Sequence, residues 1–244
     1  TSLRKNNIDF LRFPAIDGKS TFSDAFLIEK NLLRQSNTRF ENHLLSKGEI
    51  GCANSHYSLY EDLTKSDCHN FLILEDDVEI SDSLNLFLQD FDKINLDFDI
   101  LFLGYFISEL NNINRHCRIP ARLKYFGRVK LGSNFIIGIP AHGCWTTMGY
   151  IVSKKGAEKL IEINKDLILL ADELTSDLYN FGLNIYAVNK PLVFPSTLDF
   201  VTETNSIHTE QKTQSVWFAK RLWRKILQTT IMIRLKILKR QLSK

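Results

Sequence analysis

The sequence predicts an α/β protein: a mixed, mostly parallel central sheet flanked by helices. Three observations point there. Residues 71–74 are four apolar side chains in a row, Phe-Leu-Ile-Leu, followed at once by Glu75, Asp76 and Asp77. Such a run suits a strand buried on both faces, as in a parallel sheet covered by helices. Asp99-Ile-Leu-Phe-Leu-Gly104 is a second run of the same kind. Between and around these runs, apolar residues recur every three or four positions, so strands alternate with helices.

The elements follow in order. Ser23 or Asp24 caps a helix through Phe26, Leu27, Lys30 and Leu33. Gly48 to Gly51 opens a second, whose stripe is Ile50, Ala53, Tyr57, Tyr60 and Leu63. Residues 67–70 turn into the strand at 71–74. Ser81-Asp82-Ser83 caps a helix carrying Leu84, Phe87, Leu88 and Phe91. Residues 105–133 are polar, basic and irregular, and read as an insertion or active-site loop. A strand at 148–152 leads into a helix capped by Ser153. Short strands at 185–188 and 192–194 close the domain.

Composition narrows the classes. The 244 residues suffice for one large domain, and no run of eighteen apolar residues occurs. No secretory signal is visible. Cys52, Cys68, Cys117 and Cys144 are scattered, with no C-x-x-C pair, and read as free thiols of a reducing compartment. The net charge of +3 hides a split. Ten of the 31 Lys and Arg, and none of the 28 Asp and Glu, fall in 211–244. The first 210 residues therefore carry a net of seven negative charges, against a strongly basic tail.

Carboxylates at the carboxyl end of a sheet strand sit where open α/β sheets bind ligands. Three adjacent negative charges repel one another and invite a cation. Hard oxygen donors favour Mg²⁺ or Mn²⁺ over zinc, and such an ion brings a phosphate group with it. A solvated acidic turn is the plain alternative.

The ordered set of motifs resembles glycosyltransferase family 25, the bacterial lipopolysaccharide and lipooligosaccharide transferases together with the collagen galactosyltransferases. The matching segments are Phe13-Pro-Ala-Ile-Asp-Gly18, Gly48-Glu-Ile-Gly-Cys-Ala-Asn-Ser-His56, Leu72-Ile-Leu-Glu-Asp-Asp-Val78 and Asp99-Ile-Leu-Phe-Leu-Gly104. Gly149-Tyr-Ile-Val-Ser-Lys-Lys-Gly-Ala-Glu-Lys-Leu160 and Ala171-Asp-Glu-Leu174 complete it. Such proteins open on a strand and helix of pattern I-N-L-x-R-x-x-x-R. This chain begins at Thr1, inside or just after that helix, so the resemblance implies that the first strand lies outside the sequence.

The resemblance implies a GT-A-type fold over residues 1–210 and an inverting, metal-dependent transfer of a sugar, galactose from UDP-galactose, to a glycan hydroxyl. Asp77 is the first candidate to hold Mn²⁺ or Mg²⁺, with Asp76 and Glu75 completing the shell or meeting the ribose. Asp172 is the candidate base, with Glu173 and Asp177 as rivals; a helix N-terminal charge is the bland reading of Asp172. Asp17 and Gly18 match the segment that meets the nucleoside, or form an ordinary Asp-Gly turn. His56 is placed near the donor or acceptor sugar, or is a hydrogen-bonded core histidine. Gly48 and Gly51 would let backbone N–H groups approach an anion, or simply open the helix. His208 is a candidate late metal ligand and His142 an acceptor-side residue.

Residues 215–240 interleave Trp217, Trp223 and aliphatic residues with Lys and Arg. This suits a helix in the interface of an anionic membrane, fitting a lipid-linked oligosaccharide acceptor. The expected place is the bacterial cytoplasm, peripheral on the inner membrane. Packing on its own domain or a dimer contact is the alternative. Nucleic-acid binding is disfavoured by the acidic domain. Two other function classes stay open: a glycan-binding module without catalysis, and a metal-dependent phosphohydrolase.

Overall fold

A computed structural model describes residues 3, 8–36, 44–93, 95–105, 125–140, 144, 146–176 and 181–196. All lie in Thr1–Thr204, the first of two compact units of the chain.

The strands are β1 (Asn70–Leu74), β2 (Val78–Ile80), β3 (Ile100–Phe102), β4 (Tyr125–Leu131), β5 (Phe135–Pro140), β6 (Gly149–Ser153), β7 (Ile185–Val188) and β8 (Val193–Pro195). The helices are α1 (Gly18–Thr21), α2 (Asp24–Ser36), α3 (Lys47–Lys65), α4 (Leu84–Phe91), α5 (Lys154–Ile163) and α6 (Ala171–Ser176). Six strands form one sheet in the order β1-β6-β3-β7-β5-β4; β2 and β8 form a small antiparallel pair.

The sheet is α/β and mixed, but it is mostly antiparallel, which corrects the mostly parallel sheet expected from the sequence. Only β3 and β7 pair in parallel. β6 lies antiparallel between β1 and β3, and β5 is antiparallel to both β4 and β7. The cause is that an apolar run reports burial, not the direction of its neighbour. β3 is buried at all three positions with one antiparallel and one parallel neighbour, and β6 at four of five with antiparallel neighbours on both sides. β1 departs the other way: Ile73 alone is fully buried, because β1 has a sheet partner on one side only among the described strands.

A second correction concerns residues 105–133, whose last part is not irregular. Tyr125–Leu131 is β4, joined to β5 by a turn in which Gly132 takes φ +56°. That value suits glycine. A Cβ there would also lie 2.0 Å from an Asp90 carboxylate oxygen.

The helices form where their caps and stripes place them. Ser46 and Glu49 make a reciprocal capping box at α3, and Ser153 caps α5 through the Gly156 N–H. α3 packs on α5, with α6 against both. Phe87 and Phe91 of α4 meet Phe135 and Phe98 edge-on in the core.

Candidate active site

The Glu75-Asp76-Asp77 turn links β1 to β2, and the backbone holds it at both ends. The Glu75 N–H donates to Met148 O at 3.1 Å, and the Ser196 N–H donates to Asp77 O at 2.7 Å. Asp76 is exposed; Glu75 and Asp77 are half-buried. The hydroxyl of Thr147 donates to Glu75 Oε1. Behind it, His56 Nε2 lies 3.9 Å from the same oxygen.

Asp172 sits in the first turn of α6, on a loop that the fold fixes firmly. Asn164, 1% exposed, accepts from the N–H groups of Ile168 and Leu169 at 3.1 and 3.0 Å. Arg34, also 1% exposed, reaches from α2 to grip Glu173 with two nitrogens at 2.8 and 2.7 Å, and Ile168 O at 2.7 Å. Glu173 also accepts from the Leu170 N–H at 3.0 Å. Its carboxylate is therefore committed to structure, while the Asp172 carboxylate beside it takes backbone N–H groups of its own turn and, among the described residues, no arginine clamp of this kind.

Electrostatics place these acids in one basin. Burial, then the charges of Glu75, Asp172, Glu49 and Asp77, push the Cys52 thiol up to about 12. Burial raises the carboxyl of Glu75, the Thr147 hydrogen bond opposes this, and Asp77, Asp172 and Asp76 raise it further. Burial raises Asp172, with the Glu173 charge adding to it. Asp77 is raised by burial and by Asp76. Residues 75, 77 and 172, nearly a hundred positions apart at the extremes, thus share one field.

The remaining sequence candidates fall as follows. Asp17 caps α1, accepting from the Lys19 N–H at 2.9 Å. Gly18 lies against the start of α3: a Cβ on it would be 1.7 Å from Lys47 O, and a Cβ on Gly51 would be 2.7 Å from Gly18 N. Close backbone packing thus accounts for Gly18 and Gly51. His56 is buried, and burial lowers its pKa to about 4, so the ring is neutral near pH 7. Asp177, His142, His208 and the 215–240 segment lie outside the described residues. Sequence reasoning missed Arg34, Asn164 and Thr147 in this site, and met Tyr60 only within the helical stripe and Tyr150 only within a matching segment. No local pattern marks the first three.

Among the described residues no three His, Cys, Asp or Glu side chains converge as a ready cage for a metal. The donor chemistry still fits Mg²⁺ or Mn²⁺. Such an ion needs only one or two carboxylates when a substrate diphosphate and water supply the other oxygens. Asp76 and Asp77 offer that on an open turn.

This is an α/β domain with an acidic basin at the carboxyl end of a sheet strand, the place where open α/β sheets bind their ligands. The chain belongs to glycosyltransferase family 25, described as LPS biosynthesis protein, whose profile matches residues 1–175. It is similar to human procollagen galactosyltransferase 2, 22% identical over 94% of this chain and 38% of that protein. It is also similar to the lipooligosaccharide biosynthesis protein lex-1 of Haemophilus influenzae, 31% identical over 55% of this chain and 44% of that protein. The mouse inactive glycosyltransferase 25 family member 3 is 30% identical over 37% of this chain and 16% of its own length. The chain thus spans less than half the length of these relatives. No described helix is long and apolar enough to cross a membrane.

Proposed function

We propose that the chain is an inverting, metal-dependent glycosyltransferase that moves galactose from UDP-galactose to a hydroxyl of a lipooligosaccharide or lipopolysaccharide glycan. The observation that carries this reading is the single acidic basin of Glu75, Asp77 and Asp172 in a chain of family 25. The galactose donor is taken from the human relative's name and the acceptor from the bacterial one's.

In this reading Asp77 and Asp76 hold Mn²⁺ or Mg²⁺, which when bound offsets negative charge on the leaving diphosphate. Asp172 accepts the proton of the acceptor hydroxyl. That oxygen forms the new bond to the anomeric carbon from the face opposite the diphosphate. The old anomeric C–O bond breaks, and its electron pair leaves with UDP. Burial favours the base role, because a carboxylate raised toward neutral pH holds a proton better than an exposed one. Glu173, held by Arg34, keeps the α6 loop in place. The basic 215–240 segment brings the domain to the cytoplasmic face of the inner membrane, where a lipid-linked acceptor resides.

The test is a product assay with UDP-galactose, Mn²⁺ and lipooligosaccharide from a strain lacking terminal galactose. The expected result is one UDP released per galactose transferred. Release of inorganic phosphate without sugar transfer would instead establish a phosphohydrolase. Glycan binding with no turnover would place the chain beside the relative named inactive.

A further inference from the structure

Behind Glu75 runs a buried chain of polar groups that the proposed reaction does not use. Tyr60 Oη lies 2.7 Å from Tyr150 Oη, and Tyr150 Oη lies 2.7 Å from His56 Nδ1. Both tyrosines are fully buried and His56 is 6% exposed. The far ring nitrogen, Nε2, faces Glu75 Oε1. Three side chains from α3 and β6 thus make one line that ends at a carboxylate of the acidic turn.

The line has one consistent direction. Glu75 Oε1 accepts from Thr147. A bare lone pair on His56 Nε2 aimed at that acceptor would be repulsive, whereas an N–H there is attractive. A neutral imidazole carries one N–H, so Nδ1 must be the acceptor. Tyr150 then donates to Nδ1, and its oxygen is left to accept from Tyr60. Every hydroxyl in the line donates once, and the hydrogen at the end points at Glu75. The opposite direction would leave Tyr60 with no acceptor in the line and two lone pairs facing each other across 3.9 Å.

We propose that Tyr60 and Tyr150 are positioning residues that fix His56 as its Nε2–H tautomer, so that His56 and Thr147 together hold Glu75 Oε1 and leave Oε2 to face the ligand. The 3.9 Å separation is beyond direct hydrogen-bond reach. The attraction at that distance is electrostatic, between an N–H dipole and a carboxylate oxygen in a buried setting. The tautomer rests on these distances together with the neutral ring that burial gives His56; its bearing on turnover rests on the transferase reading given above.

The tautomer is read without turnover or metal. In ¹⁵N-histidine-labelled full-length protein near pH 7, the His56 ring is expected to show a protonated Nε2 and a bare Nδ1. Tyr150→Phe is expected to convert this to a mixture or to the other tautomer. A protonated Nδ1 in the wild-type protein overturns the proposal, whatever the protein transfers. For turnover, two variants separate positioning from packing. Gln at position 56 can place an N–H donor where Nε2 stood, while the shorter Asn cannot reach it. His56→Gln is expected to keep kcat within about tenfold of wild type, and His56→Asn to lose about a hundredfold, the upper range for partners that orient a working group. KM for the nucleotide sugar is expected to be similar in both. Equal losses in the two variants, following their melting temperatures, would show His56 to be packing only. A wild-type protein with the Nε2–H tautomer and no turnover would sink the transferase reading and leave the tautomer assignment intact.

Discussion

Glu75, Asp77 and Asp172 carry their negative charges against the preference of the fold, since burial and then neighbouring carboxylates raise all three. A carboxyl whose pKa is raised on folding stabilises the protein only while protonated, and that contribution is lost as pH rises through the folded-state value. Removing the charge should therefore help most on the alkaline side. Asp172→Asn is expected to match wild type in melting temperature well below the ordinary Asp range of about 3.9, where the Asp is protonated in both states, and to exceed it once pH has risen through the folded-state value. The same variant is expected to lower kcat by about 10²- to 10⁴-fold, the usual effect of losing a general base. A variant that is both more stable at pH 8 and fully active would remove Asp172 from the chemistry. The acidic turn was legible in the sequence because local order alone placed it after an apolar strand. The groups that tune it were not. Thr147 lies 72 residues from Glu75, and Arg34 lies 139 from Glu173, and only tertiary packing joins them.

At the scale of elements, α2 is the least embedded helix described: Arg34 is its one fully buried residue, while Ile28 and Leu32 are about 60% exposed. Its guanidinium holds the loop that presents Asp172. Arg34→Ala leaves Glu173 without its charge partner and Ile168 O without its donor. It is expected to cost about 3–5 kcal/mol in urea unfolding, the range for breaking a buried pair from one side. A loss under 1 kcal/mol would show that Asn164 alone shapes the loop. Gly51→Ala is expected to cost about 1–3 kcal/mol, the range for overpacking, by driving Gly18 and Ile16 off α3. The helices were readable from caps and stripes, because those signals are local. Strand direction was not: β1 and β3 do run the same way, joined through α4, but β6 slots between them antiparallel. Nothing within residues 71–102 records that a strand from 149–153 will do so.

For the whole molecule, the charge split sets the expected behaviour. The 215–240 segment is expected to bring the full chain down with vesicles containing anionic lipid. Deleting 211–244, or raising salt to about 0.5 M, where screening shortens to a few ångströms, is expected to release it. Binding that persists without the tail would place the membrane contact within residues 1–210. A divalent ion at Asp76 and Asp77 is expected to stabilise the protein by mass action. At about a hundred times its dissociation constant, Mn²⁺ should add roughly 2.7 kcal/mol, or about 5–10 °C in melting temperature. Asp77→Asn should lose most of that gain.

In the proposed reaction the acidic turn anchors a nucleotide-sugar donor through a divalent ion. Calorimetric titration of the full chain with UDP-galactose, with and without Mn²⁺, measures this most directly. The expected result is saturable binding that requires Mn²⁺ and disappears in Asp77→Asn. Failure to bind any UDP-sugar, or binding that is the same without metal and in Asp77→Asn, would show that the acidic turn does not anchor the donor through a metal ion.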